Sequence, residues 1–206
     1  DVMHADLART IAQQGGYFFR WQALDCGYDD REIHARLRHR EWVRLRRGAY
    51  AVKALVDSLD AAGRHRLLVR ATVGNLEGPV VVANHSALAF HGVDLWGVDL
   101  AEVHVHRDPR RTSRRDAGVV HHLGELAESE IEEVDGVLVA ALERAAVDTA
   151  RTVPYDVGVV LLDGARRQDF DAVRAKEMLG RQRDWTGSVR APGPRGSPAG
   201  RPPTGG

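Results

Sequence analysis

Glycine turns divide the first 53 residues of this 206-residue chain into short elements. Glycine adopts the left-handed backbone of a tight turn most readily, so Gly15-Gly16, Gly27 and Gly48 predict where the chain reverses. Before the first turn, Leu7 and Ile11 lie four residues apart, which predicts a helix with one buried face. A domain of small elements joined by tight turns is therefore predicted for residues 1–53.

Two further helices are predicted, one before Gly27 and one after it. Arg20 to Cys26 favours a short helix with Trp21 facing inward. Asp29 precedes a second helix, and Glu32 follows three residues later, which is the spacing of a capping box. Ile33 provides the buried face of that helix.

Residues 42–52 predict a β-hairpin that bends at Gly48. Residues 31–53, which include the third helix and this hairpin, carry eight basic side chains against two acidic ones, a net charge of +6. The predicted elements follow the order of a winged helix-turn-helix domain: a helix, a short extended piece, a short helix, a basic helix and a basic hairpin. The overall net charge is zero, but its uneven distribution is compatible with a nucleic-acid partner.

In such a domain the third helix enters the major groove, and the hairpin lies over the backbone or in the minor groove. Arginine suits both phosphate and guanine recognition. The predicted DNA contacts are the basic and polar side chains of the helix and hairpin: Arg31, His34, Arg36, Arg38, His39, Arg40, Arg44, Arg46, Arg47 and Tyr50. The alternatives are a solvated basic face and a surface that docks a protein.

Residues 54–183 predict a mixed α+β domain, so the fold class expected for the whole chain is α+β. Leu59 to Leu76 has the period of one helix, and residues 131–139 predict a strand. Residues 184–206 are rich in glycine and proline and predict a disordered tail.

The arginines of the loop near residue 110 form either a second phosphate contact or a solvated loop: Arg110, Arg111, Arg114 and Arg115.

Enzyme motifs are missing from the sequence. It contains neither the GxxxxGK[ST] nor the GxGxxG phosphate loop, and no carboxylate-x-Lys pair of a PD-(D/E)xK nuclease. Ser86 lacks the flanks of a nucleophile elbow and is interpreted as a helix cap. Paired histidines such as His104 and His106 are compatible with zinc, but no CxxC pair or HExxH helix accompanies them. Surface or capping histidines are predicted, with no metal and no cofactor.

The chain resembles AbiEi-type antitoxins, which are widespread in actinobacteria. The resemblance covers about residues 5–180. It is carried by an ordered series of short stretches: Gly16–Phe18, Ala23–Leu24, Gly27–Tyr28, Trp42–Tyr50, Ser86–Gly92, Glu102–His106, Gly136–Val139 and Glu143–Asp148.

The single cysteine, Cys26, predicts a cytoplasmic protein. The resemblance implies a DNA-binding, non-enzymatic antitoxin of a type IV toxin–antitoxin, or abortive-infection, system. Such a protein represses its own operon promoter, at inverted or direct repeats in double-stranded DNA. Its toxin is a nucleotidyltransferase that it need not bind. Two departures stand out: Val139 to Arg144 replaces a Thr-Ser-Pro-Ala-Arg-Thr-like junction, and a C-terminal Vsr-like nuclease region is not found. The alternative is a member of a DNA-processing nuclease family that has lost its catalytic domain.

Overall fold

The chain folds as an α+β protein around two separate sheets, as the sequence predicts. The computed structural model describes residues 3–107, 115–116, 118–124 and 126–183. The predicted tail, residues 184–206, lies outside the described residues. Within those ranges no helix is long and apolar enough to cross a lipid bilayer.

The N-terminal part has three helices and a small antiparallel sheet. Its strands lie in the order β1-β3-β2. The elements are α1 (Ala5–Gln14), β1 (Tyr17–Phe19), α2 (Arg20–Asp25), α3 (Asp30–Arg38), β2 (Trp42–Arg46) and β3 (Ala49–Val52). Each strand is only three to five residues long, so this sheet depends on the helices packed against it.

Local signals in the sequence explain where these elements begin and end. Gly15 ends α1 with φ 77°, and Gly48 bends the hairpin with φ 76°. Asp29 caps α3: its carboxylate accepts the Glu32 N–H at 2.8 Å, and the Glu32 carboxylate accepts the Asp29 N–H at 2.8 Å. The predicted turns and the predicted capping box are confirmed.

The prediction that Trp21 faces inward is wrong. The indole is 59% exposed and stacks on the Phe19 ring, with centroids 6.4 Å apart. The buried residue of α2 is Ala23. Phe18 and Trp42 fill the core instead, with their rings in edge-on contact at 4.7 Å. Burial of large aromatic rings such as these dominates the energetics of so small a core.

The larger part of the chain is built on a six-stranded mixed sheet in the order β6-β7-β5-β4-β9-β8. The strand pairs β4/β9 and β5/β7 are parallel, and the others are antiparallel. The elements are α4 (Lys53–Ser58), α5 (Ala61–Val73), β4 (Val81–Val82), α6 (Asn84–Phe90), β5 (Val103–Arg107), β6 (Arg115–Asp116), β7 (Val119–Leu123), β8 (Ile131–Val134), β9 (Val137–Ala140), α7 (Leu142–Ala150), α8 (Tyr155–Arg166) and α9 (Ala172–Arg183).

Two predictions for this part are wrong in detail. The predicted helix from Leu59 to Leu76 starts two residues later, as α5, because Leu59 is extended and the Asp60 carboxylate caps α5 by accepting the Gly63 N–H at 2.6 Å. The predicted strand 131–139 is the hairpin β8–β9, which turns at Asp135-Gly136 with positive φ at both residues.

Helix α5 belongs to both parts of the molecule. Leu67 and Ala71 pack with the three-stranded sheet, whereas Val69 lies in the core of the larger sheet. Arg70 adds a polar contact, donating to the Asp135 carbonyl in the β8–β9 turn at 2.8 Å. The N-terminal unit and the larger sheet are thus held by one shared helix.

A buried ion network joins α7 to the segment just before β8. Arg144 donates to Glu130 at 2.8 Å and to Asp148 at 2.5 Å. Arg144 and Glu130 are almost completely buried. Buried carboxylates are tolerable only while a cation and hydrogen bonds compensate for their lost hydration.

Replacing the central cation should therefore destabilise the folded protein. We expect Arg144→Met to lower the free energy of unfolding by about 3–5 kcal/mol, because it leaves two carboxylates without their cation. Urea denaturation followed by circular dichroism measures the change. Arg166→Met, at an exposed position of α8, is the control and should change the free energy of unfolding by less than about 0.5 kcal/mol. Equal effects of the two substitutions would contradict the account.

Candidate nucleic-acid interface

The outer face of α3 carries basic side chains. Arg31, His34 and Arg38 are exposed and lie at i, i+3 and i+7, while Ile33 faces the core. Together with Leu37 these three side chains line a shallow groove on the helix. The capping box at Asp29 and Glu32 fixes the start of the helix, and so fixes which residues this face presents.

The exposed basic surface continues beyond the helix into the hairpin. His39 and Arg40 follow the end of α3 and are exposed. Arg40 has φ 56°, a left-handed conformation that reverses the chain between helix and hairpin. Arg44 in β2 and Arg47 in the turn are also exposed.

The arginines of the N-terminal unit fall into two groups. Some are neutralised locally: Arg9 is 3.1 Å from Asp6, and Arg20 is 2.6 Å from Asp30. The side chains of five others form no hydrogen bond or ion pair within the part of the chain that the structure describes: Arg31, Arg38, Arg40, Arg44 and Arg47. These five guanidinium groups remain hydrated and available to an external anion.

Arg36, a predicted DNA contact, has a structural role inside the unit. Its side chain is 13% exposed and lies 2.5 Å from the Glu41 carboxylate. Its guanidinium also lies 5.4 Å from the ring centroids of Tyr28 and Trp42. These cation–π contacts and the ion pair hold the end of α3 against the hairpin, so Arg36 is not part of the exposed basic face.

Arg46 and Tyr50 also point away from that face. The pairing of β2 with β3 is irregular between Arg44 and Arg46, and Arg46 donates to the Thr72 hydroxyl of α5 at 2.7 Å. Tyr50 is 5% exposed and packs in the aromatic core beside Phe18. Neither side chain is on the surface formed by the five unpaired arginines.

The second predicted basic patch lies mostly outside the described residues. Arg110, Arg111 and Arg114 are outside them. For Arg115 the structure describes only the backbone, which belongs to β6. The possible second DNA contact therefore stays a prediction.

The prediction of surface or capping histidines is wrong for a group in the larger part. His65, His85, His104, His106 and His121 are all buried. For His104 and His106 the reason is that β5 is an interior strand buried on both faces, whereas its Val/His alternation suggests a half-exposed strand. No three or more histidine, cysteine or acidic residues in the described ranges are arranged to hold a metal ion.

Several of these imidazoles touch in a continuous row. The His85 and His104 ring centroids are 4.4 Å apart, and His122 Nε2 lies 2.9 Å from His104 Nδ1. A proton shared between those two nitrogens requires at least one of the rings to be neutral. Burial lowers the pKa of His122 to about 4, and burial also lowers the pKa of His65 to about 4.

Ser86 has the geometry of a serine–histidine pair without access to a substrate. Its hydroxyl oxygen lies 3.0 Å from His65 Nε2, and His65 Nδ1 lies 2.8 Å from the Leu100 carbonyl. The same oxygen accepts the His104 N–H at 3.0 Å. Ser86 lies inside α6 and is fully buried, so it is not the predicted helix cap, and its role is to satisfy buried polar groups.

The buried histidines predict instability in weak acid. His65 and His122 stay neutral in the folded state down to about pH 4, whereas in the unfolded chain they take up protons below about pH 6.5. Stability is therefore full above pH 6.5 and declines as the pH falls toward 4, by up to about 1.4 kcal/mol per pH unit for each histidine.

Urea midpoints measured between pH 7.5 and 4.5 test this prediction. A midpoint that is constant across that range would show that the imidazoles gain no protons on unfolding.

Two comparisons with known proteins found no match. The chain matches no protein-family model and no curated protein. The similarity to AbiEi-type antitoxins therefore depends on the residues quoted above.

Proposed function

We propose that this protein binds double-stranded DNA through α3 and the β2–β3 hairpin, and acts as the repressor and antitoxin of a type IV toxin–antitoxin operon. The observation that carries the proposal is the set of five exposed arginines on α3, on the hairpin and between them, whose side chains have no partner among the described residues. Exposed charges contribute little to the stability of a fold, so stability does not account for these five arginines.

The arrangement of elements supports a winged helix-turn-helix. Helices α2 and α3 are joined by residues 26–29, a four-residue turn that contains Gly27 with φ 94°. A turn of three or four residues with glycine is the usual link in a helix-turn-helix. Helix α3 then corresponds to the recognition helix, and the hairpin to the wing.

Each group of arginines has its own proposed role. Arg31 and Arg38 on α3 contact base edges in the major groove, since Arg pairs with guanine O6 and N7. Arg44 and Arg47 of the hairpin, with Arg40 between the two elements, contact phosphates. Ion pairs such as Arg20–Asp30 keep other arginines out of the interface.

The biological context comes from the resemblance to AbiEi-type antitoxins. We propose a cytoplasmic repressor of its own promoter, with a nucleotidyltransferase as the toxin whose effect it counters. Direct binding of that toxin is not required by the proposal. No catalytic role is assigned to any residue.

The test is fluorescence anisotropy with a labelled duplex from the region upstream of the protein's own gene. Arg38→Ala should weaken binding by about 1–3 kcal/mol and reduce the preference for that duplex over a scrambled one. Arg47→Ala should weaken binding to both duplexes alike, because phosphates carry no sequence information.

Arg9→Ala is the matched control. It removes an arginine of the same unit that is paired with Asp6, and it should bind DNA as the wild type does. If Arg38→Ala and Arg47→Ala also bind like the wild type, the proposed interface is wrong. Loss of binding by Arg9→Ala to the same extent would point to a general charge effect.

A further inference from the structure

The outer face of helix α8 carries three exposed apolar side chains. Tyr155 is 88% exposed, Val159 is 39% exposed and Val160 is 43% exposed. The opposite face of the helix, with Val157 and Leu161, is buried in the core of the larger sheet. Tyr155 and Val159 lie one helical turn apart, so their side chains are neighbours, and Val160 extends the patch. A contiguous exposed apolar patch is a mark of an interaction surface.

The charges on this face differ in sign between the two ends of the helix. Asp156 lies in the first turn of α8, Arg167 is its C-terminal cap residue, and both are exposed. Neither side chain has a hydrogen bond or ion pair with another described residue. The helix macrodipole favours charges of these signs at these ends, but it does not explain the apolar side chains between them.

We propose that this face binds a second copy of the chain, through an antiparallel pair of α8 helices related by a two-fold axis. Asp156 and Arg167 lie on the same side of the helix, since 3.6 residues complete a turn. In the antiparallel pair, Asp156 of each copy therefore lies opposite Arg167 of the other, and the apolar patches meet between them. A two-fold interface requires a surface that is complementary to itself, and this distribution of charge meets that requirement.

The size and charge of the face predict a weak dimer. Helix α8 has 12 residues and is about 18 Å long. Two such helices bury less than the roughly 800 Å² per partner of a standard interface. Asp163, also exposed on this face, would lie near its own copy across the axis, and like charges oppose association. We therefore expect a dimer that forms and dissociates at micromolar concentrations.

Sedimentation equilibrium of the full chain without DNA tests the interface, at chain concentrations from about 1 to 200 μM. We expect the mean mass to rise with concentration from 22.7 kDa toward twice that value. Val159→Glu places a charge in the apolar contact and should weaken dimerisation about tenfold or more. Val173→Glu, at an exposed valine of α9, is the matched control and should leave dimerisation unchanged. A monomer at every concentration, or equal effects of the two substitutions, would overturn the proposal.

Charge reversal tests the antiparallel arrangement. Arg167→Glu should weaken dimerisation about tenfold, because it places acidic side chains opposite each other at two symmetric positions. Adding Asp156→Arg to the same chain should restore the affinity to within about threefold of the wild type. The two residues are about 16 Å apart along the helix, so restoration can come only from contact between copies. A double variant that associates no better than Arg167→Glu would overturn the arrangement.

Dimerisation also has a consequence that rests on the proposed DNA binding. A two-fold dimer presents two copies of α3, which suits inverted half-sites in DNA. The wild-type chain should therefore bind its upstream duplex cooperatively, and Val159→Glu should remove the cooperativity. A dimer that binds DNA without cooperativity overturns this consequence alone. An absence of DNA binding overturns the proposed function and leaves the dimer interface, which is measured without DNA, intact.

Discussion

Burial of α5 on two sides is the constraint on which the rest of the structure depends. Leu67 and Ala71 pack against the three-stranded sheet, and Val69 packs into the core of the larger one. A helix buried on opposite sides cannot leave one part without exposing apolar surface from both. Arg70, bonded to the β8–β9 turn, adds a directional contact to this non-directional packing.

Local neighbours decide what each arginine in the N-terminal unit does. Arg36 forms an ion pair with Glu41 and contacts two aromatic rings, so its side chain is largely buried at the edge of the core. Arg46 meets the Thr72 hydroxyl and joins the hairpin to α5. Arginines without such neighbours stay at the surface, where their charges add to one field. The proposed interface consists of the arginines that form no such contacts with the rest of the fold.

Features set by neighbouring residues in the sequence could be predicted, whereas features set by distant residues could not. The Asp29 cap and the Gly48 bend depend on local chemistry, and both are confirmed. The role of Arg36 depends partly on the ring of Tyr28, which only folding brings near. The burial of His104 and His106 could not be predicted, because burial on both faces of β5 depends on strands and helices far along the chain.

The salt dependence of DNA affinity tests the central claim most directly. Three arginines that each neutralise a phosphate, Arg40, Arg44 and Arg47, predict a slope of log Kobs against log salt of about −3. Removing one of them, as in Arg47→Ala, should make the slope about one unit shallower, whereas Arg9→Ala should leave it unchanged. A wild-type slope near zero, or one that Arg47→Ala does not alter, would contradict the account.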